Sequence, residues 1–305
     1  MFRVSEDFFK TICNNDIIYH YTKAATAIDY IFYNNQLRFS NCLASNDSIE
    51  SVKPNRKTVY YDNMVDYPKS EEHRDSMNEL HEFIREYDKL FYQICFCKNE
   101  YDGNFDNENY YSSFNGHEES FGFTKLRMWD QYADKFSGVC IAFSKERLLA
   151  LNDKLDLIQG DVDYLKFIEL KGTKIGDLNF NALIALGQND YKNKLENQLK
   201  KSFFCKHLDY IGENEFRIGT LYQKEKEFPM FVKGELKFEK TIMLNITGCV
   251  KAIFVSSFAN EKQKSELLII ANNLKVELIE MVWKHDSFET RDYKKSIEFI
   301  NKINI

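Results

Sequence analysis

The side chains able to do chemistry fall in two places far apart in the chain. Near the start, His20 sits inside the apolar run Ile17-Ile18-Tyr19-His20-Tyr21 and is followed by Thr22. Far downstream, Glu213-Asn214-Glu215-Phe216-Arg217-Ile218 has the alternation of a strand, which puts Glu213, Glu215 and Arg217 on one face, with Lys206 shortly before. A strand histidine either satisfies a neighbouring backbone group or serves a ligand. Two carboxylates on one face repel, and one is driven toward its protonated form unless a cation stands between them. Arg217 is placed to be that cation, and with Lys206 the same arrangement would clamp a phosphate. The plainer alternative is an ion-pair network in which Arg217 or Lys206 neutralises Glu213 and Glu215.

Other groups carry weaker signals. Asn46, Asp47 and Glu50 have the donor atoms for a metal or a ribose, although Asn46-Asp47-Ser48 is first of all a solvated turn. Cys95 and Cys97 alternate to one strand face and are expected as small core residues, because no second Cys/His pair stands at metal-ligand spacing. His117-Glu118-Glu119 lacks the second histidine of a zinc helix. The chain shows no Gly-rich phosphate loop, no Gly-x-Ser-x-Gly elbow and no nuclease-type carboxylate triplet. No metal is expected.

Elements of both kinds must position these groups. Ser5 to Cys13 is expected as a short amphipathic helix, Ile17 to Tyr21 as a strand, Thr22 as the N-cap of a helix over Ala24 to Phe32, and Gln36 to Ser40 as a strand. Thr58 to Tyr61 has strand character. Apolar residues from Met77 to Phe91 recur at helical period within Glu71 to Tyr92, and Phe91 to Cys97 then becomes strand. Asn99 to Glu119 is polar and loop-like. Lys125 to Phe136 is expected as a helix that a glycine breaks before the strand Gly138 to Ser144, with Trp129 and Tyr132 on one helix face. A Trp in that place is first a packing anchor. Lys145 to Leu151 follows as helix, Gly160 to Leu165 as strand and Asn179 to Lys201 as helix. Val250 to Ser256, Glu261 to Asn273 and Val276 to Trp283 resemble a βαβ unit. The fold class expected is α+β: a central mixed or antiparallel sheet with flanking helices, in one domain over 1–305, with a helical insertion at 68–92 and a mobile loop at 99–119.

Bulk composition narrows the class. A hydrophobic share of 44% beside 29% charged residues is that of a soluble globular chain, and only 3 Pro and 12 Gly argue against long linkers. A net charge of −6 without a basic stripe argues against a protein that grips duplex nucleic acid. Met1 to Lys10 lacks the apolar core of a secretory signal, and no run approaches a membrane span, so a cytoplasmic protein with reduced thiols and no membrane partner is expected.

Several blocks in order resemble a bacterial family catalogued as domain of unknown function 2971. They are Tyr19-His20-Tyr21-Thr22, Asn46-Asp47 with Glu50, Cys95-Phe96-Cys97, then Trp129, Tyr132 and Ala133 with Gly138 to Phe143. Val162-Asp163-Tyr164 and Lys206 with Glu213, Glu215 and Arg217 complete the set. Ser48 stands where that family tends to show Pro, which leaves a less rigid turn. Such proteins are similar to ones encoded near anti-phage systems, which implies an effector of a toxin or of abortive-infection defence, with a cognate inhibitor or defence partner.

A strand His followed by a helix, with a strand Glu far downstream, is also similar to the layout of ADP-ribosyltransferases. That resemblance implies NAD as substrate, His20 on its adenosine ribose and a Tyr under the nicotinamide. It further implies Glu215 stabilising the oxocarbenium-like state as nicotinamide leaves. Glu213 and Glu215 resemble the paired acids of the arginine-modifying branch. Glu215, His20 and Tyr21 are then the expected catalytic residues, and His20, Thr22, Arg217 and Lys206 the expected cofactor contacts. Tyr60, Tyr61 and Tyr132 are candidates for the stacking ring. Two other readings stand beside this one. A non-enzymatic sensor of a nucleotide or phage component needs a basic, carboxylate-poor pocket at Lys206 and Arg217. A metal-dependent nuclease or hydrolase needs Asp47 and Glu50 beside a later carboxylate.

Overall fold

The computed structural model describes residues 6–41, 58–60, 71–100, 120–173, 177–221, 228–232, 235–239, 241–285 and 287–303. The strands, in chain order, begin with β1 (Ile17–Thr22), β2 (Gln36–Arg38), β3 (Ser40–Asn41), β4 (Thr58–Tyr60), β5 (Phe91–Lys98) and β6 (Val139–Ser144). They continue with β7 (Leu157–Asp161), β8 (Asp163–Leu165), β9 (Asp177–Asn179), β10 (Cys205–His207) and β11 (Glu215–Leu221). The last are β12 (Phe228–Val232), β13 (Glu235–Glu239), β14 (Met243–Asn245), β15 (Val250–Ser256), β16 (Glu277–Trp283) and β17 (Phe288–Asp292). The helices are α1 (Glu6–Ile12), α2 (Ala24–Thr26), α3 (Glu71–Leu90), α4 (Leu126–Gln131), α5 (Lys145–Leu151) and α6 (Phe167–Thr173), then α7 (Phe180–Leu186), α8 (Gln188–Ser202), α9 (Glu261–Leu274) and α10 (Tyr293–Ile303).

The fold is α+β. Its centre is a mixed nine-stranded sheet in the order β17-β16-β15-β6-β1-β5-β11-β7, with β3 added beside β5. Every residue of β6 is buried, as a strand apolar on both faces must be. β15 and β16 run parallel, so with α9 they form the βαβ unit that the sequence suggests.

Strand alternation sorts the core into two layers. Ile18, Phe96, Ile141, Phe143, Ile253 and Val255 pack on one side with Ala27 and Ile31 and with Leu267 and Ala271 of α9. Tyr19, Tyr21, Cys97, Cys140 and Phe254 pack on the other with Phe8, Phe123 and Trp129. Trp129 is fully buried, its Nε1–H donates to the Phe123 carbonyl at 2.8 Å, and it packs as the anchor expected. A third cluster joins α3 to α8, where Phe91 and Phe203 stack at 3.9 Å.

The local structure departs from expectation at several points. Thr22 is the last residue of β1, and the helix after it is capped at Lys23 without a side-chain bond. That helix widens into a π-helical turn over Ala27–Phe32, which keeps Ala27, Ile31 and Phe32 buried. The expected helix at 125–136 stops at Gln131. Asp134, Lys135 and Phe136 then take left-handed backbone, at φ 52°, 53° and 67°. Three such L-residues in a row are costly alone. They are held by Lys135 N–H to the Asp130 carbonyl at 3.1 Å, Phe136 N–H to the Trp129 carbonyl at 3.0 Å, and the Phe136 ring edge-on to Trp283. Gly138 therefore does not break the helix. A Cβ there would sit 2.4 Å from the Thr22 carbonyl oxygen, so the glycine serves close approach. The expected strand at 160–165 is two strands, and the helix at 179–201 is two helices split at Gly187, φ 78°.

Candidate functional site

Partner exchange along β5 creates the site. One edge of this strand pairs with β1 only at Ile18↔Lys98 and Tyr19↔Cys97. At its other end the strand pairs with β3 at Ser40↔Gln93 and Asn41↔Tyr92. Between these, at Ile94 to Phe96, β1 has parted from β5, and a cavity of about 750 Å³ opens there. That size lies within the range of small-molecule and cofactor sites. Residues from both faces of the sheet line it, among them Tyr19, His20, Tyr21 and Thr22 of β1.

His20 is half-buried at this rift. Its Nδ1 lies 3.1 Å from the Cys95 carbonyl oxygen. A carbonyl only accepts, so Nδ1 carries the hydrogen. Burial pushes the imidazole below its ordinary pKa, and the bond to Cys95 offsets this only in part. The ring is therefore neutral at pH 7, and Nε2 presents a lone pair. Cys95 departs from the core expectation, because the rift leaves it exposed while Cys97 is fully buried.

The downstream cluster reaches the same cavity, which Lys206, Glu213 and Glu215 also line. Glu215 is in register with Cys97, and Cys97 with Tyr19, so these three share a face and His20 alternates to the other. Glu215 is buried, and Arg217 grips it in a fork: Nε donates to Oε1 at 2.7 Å and Nη2 to Oε2 at 3.0 Å. Nη1 of Arg217 donates to the Phe203 carbonyl at 2.6 Å. Burial opposes ionisation of Glu215, but Arg217 and, behind it, Lys206 outweigh it and hold the carboxyl at about 2.

Glu213 is not on the strand. It ends a 3-10 helix over Leu208–Glu213, and Asn214 follows in left-handed backbone at φ 41°. Its carboxylate nevertheless rejoins the cluster, accepting from Lys206 Nζ at 2.7 Å through Oε2. Lys206 lies 3.5 Å from Glu215 as well, so it bridges the two acids. Oε1 of Glu213 is buried without a hydrogen bond, with Arg127 Nε at 3.8 Å. Burial pushes the Glu213 carboxyl above the usual range, and Lys206 opposes this without cancelling it. Two neighbouring acids thus have their ionisation driven in opposite directions.

The remaining expected residues separate. Thr22 and half-buried Tyr132 line the cavity. Tyr21 also borders it, but its hydroxyl donates to the Gly122 carbonyl at 2.7 Å and its ring meets Trp129 edge-on. Arg217 stands behind Glu215 and is not among the lining residues. Tyr60 closes β4, whereas Tyr61, Asn46, Asp47, Glu50 and His117 to Glu119 lie outside the described residues. Sequence reasoning missed Tyr164, whose hydroxyl accepts from the Glu215 backbone N–H at 2.8 Å. It also missed Arg38, exposed on the cavity wall beyond the π-helical turn. No helix among the described residues is long and apolar enough to cross a membrane.

No curated protein and no solved structure matches the chain. Residues 128–218 match the model of a family described as "Protein of unknown function (DUF2971)", a span that holds Trp129, Tyr132, Lys206, Glu213, Glu215 and Arg217 and leaves out His20.

Proposed function

We propose that the chain is an ADP-ribosyltransferase-like enzyme that consumes NAD in the cavity between β1 and β5. The observation that carries this reading is that His20, Tyr132 and the Glu213/Glu215 pair line one cavity of about 750 Å³. In the proposed reaction the glycosidic C–N bond breaks, nicotinamide leaves with the bonding electrons, and an acceptor or water attacks the ribosyl carbon. Positive charge spreads over the ribose as the bond lengthens, and fixed carboxylates beside it lower that barrier. Glu215 suits this role, being ionised at any physiological pH and held by Arg217. Nε2 of His20 would accept from a ribose hydroxyl, and Tyr132 would supply an aromatic wall.

The second reading, a nucleotide-binding module without catalysis, called for a basic, carboxylate-poor pocket, whereas Glu213 and Glu215 line this cavity and Arg217 does not. One observation nevertheless favours it. Both oxygens of Glu215 are already engaged by Arg217. The two readings part in one experiment. Wild type, His20→Ala and Glu215→Gln are compared for thermal stabilisation by NAD and for nicotinamide release. Release by wild type that His20→Ala abolishes, with the variant folded, supports the enzyme. Stabilisation without release supports the module, and the absence of both removes NAD altogether.

A further inference from the structure

We infer that Arg38 binds the phosphates of the ligand, so that a nucleotide lies with its diphosphate against β2 and β3 and its ribose toward Glu215. This deepens the reading of the cavity as a nucleotide site and rests on it. Charge spacing in the sequence put the phosphate clamp at Lys206 and Arg217, but in the structure both are engaged. Arg217 forks onto Glu215, and Lys206 sits between the two acids, at 2.7 Å from Glu213 and 3.5 Å from Glu215. Of the other cations that line the cavity, Lys23 lies 3.6 Å from Asp134, and Lys135 stands on the left-handed turn beyond α4. Arg38 is exposed on the cavity wall, and among the described residues no carboxylate pairs with it.

An exposed arginine needs no ligand, so its placement carries the argument. Leu37 and Phe39, each 2% exposed, turn into the core layer that holds Ile94 and Phe96. Arg38 and Ser40 alternate to the opposite side, and Ser40 is in register with Gln93, which also lines the cavity. Gln93, Cys95 and Cys97 share that side of β5, and Glu215 is in register with Cys97 from the other edge of the strand. Arg38 and Glu215 therefore stand on the same side of the sheet, with β5 between them. Main-chain bonds hold Arg38 there: it is in register with Met243 of β14, and the Phe39 N–H donates to the Ile242 carbonyl at 2.9 Å. The acids of the lining are Asp130 and Asp134 near α4 and the Glu213/Glu215 pair, and β2 and β3 contribute none. A phosphate is thus disfavoured at the acid end and meets, at the other, a planar fork able to donate to two of its oxygens. So seated, the ligand presents its ribose where Glu215 stabilises the developing charge.

The test is calorimetric titration of wild type, Arg38→Gln and Arg38→Lys with ADP-ribose at low and at high ionic strength, beside the kinetics of nicotinamide release from NAD. Circular dichroism checks the fold, which a change at an exposed side chain should leave intact. The expected result at low ionic strength is a loss of ADP-ribose affinity of at least about tenfold in Arg38→Gln, as for a lost hydrogen bond to a charged group. Arg38→Lys, a point charge without the fork, should recover part of it. High ionic strength should narrow the difference, because screening weakens the wild-type contact. In nicotinamide release KM should rise with kcat held, the mark of binding energy shared by ground and transition states. Unchanged affinity in Arg38→Gln, or a loss that ionic strength does not alter, overturns the inference while leaving NAD consumption standing. Arg38-dependent binding of ADP-ribose with no nicotinamide released supports the inference and removes the enzyme. No binding of ADP-ribose and no nicotinamide release by wild type overturn both.

Discussion

Replacing Arg217 with Met isolates the energetics of the acid cluster. Glu215 and Arg217 are each 3% exposed, and their forked ion pair is part of a network with Lys206 and Glu213. Removing one partner of a buried pair leaves the other charge uncompensated, at a cost of about 3–5 kcal/mol. With an unfolding entropy of about 2.1 cal/mol/K per residue, this 305-residue chain loses roughly 1.6 °C of Tm per kcal/mol, so the variant should melt roughly 5–8 °C lower at pH 7. The same cluster fixes how that difference changes with acid. In wild type the carboxyl of Glu215 falls from its ordinary 4.5 to about 2, so its contribution is complete above pH 4.5 and is lost as pH falls toward 2. That displacement corresponds to about 3 kcal/mol. In the variant the main opposing charge is gone, burial raises the carboxyl, and protonation on acidification relieves the strain. The stability gap should therefore narrow between pH 7 and pH 4. Urea unfolding of both proteins at pH 7, 5.5 and 4 measures it. A gap that stays constant or widens with acid would refute the claim that the Arg217 fork keeps Glu215 ionised.

Three further outcomes follow from other parts of the molecule. NAD affinity should stay flat from pH 8 to 6.5 and weaken only below, because His20 protonates below its ordinary 6.5 and Nε2 then turns from acceptor to donor; calorimetry that finds the midpoint above 6.5 contradicts this. Gly138→Ala should cost about 1–3 kcal/mol, since its Cβ would meet the backbone of Thr22 at 2.4 Å and of Ala133 at 2.8 Å, and an unchanged urea midpoint would refute it. Lys264→Met should cost about 3 kcal/mol by stranding Glu280, to which this buried ammonium donates at 2.9 Å. Adding Glu280→Leu should recover most of that loss in the same unfolding assay.

The sheet was legible where burial sets the pattern. Val139 to Ser144 is apolar at nearly every position because both faces are covered, and Val250 to Trp283 shows the alternation of a βαβ unit in its composition. Where non-local forces choose the backbone, the sequence was silent. Asp134, Lys135 and Phe136 are ordinary residues whose left-handed conformation is imposed by packing on Trp283 and by carbonyls of the preceding helix. At Glu213 the alternation was carried one residue pair too far. Asn214 was the available signal, since asparagine tolerates left-handed backbone and often ends a turn. The acid cluster and its cations were legible from charge spacing alone. Arg38 and the exposure of Cys95 were not, because both depend on where β1 leaves β5, and pairing across distant segments has no local mark.

That parting has an architectural consequence. A receptacle made by leaving a ladder unfinished inherits the stiffness of the strands on either side, knitted at Cys97 and Lys98 above and at Tyr92 and Gln93 below. Among the described residues no hinge has to swing to open the slot, so the ligand proposed for it would lose little to ordering on entry. Amide hydrogens flanking the slot should then exchange slowly with or without the proposed ligand.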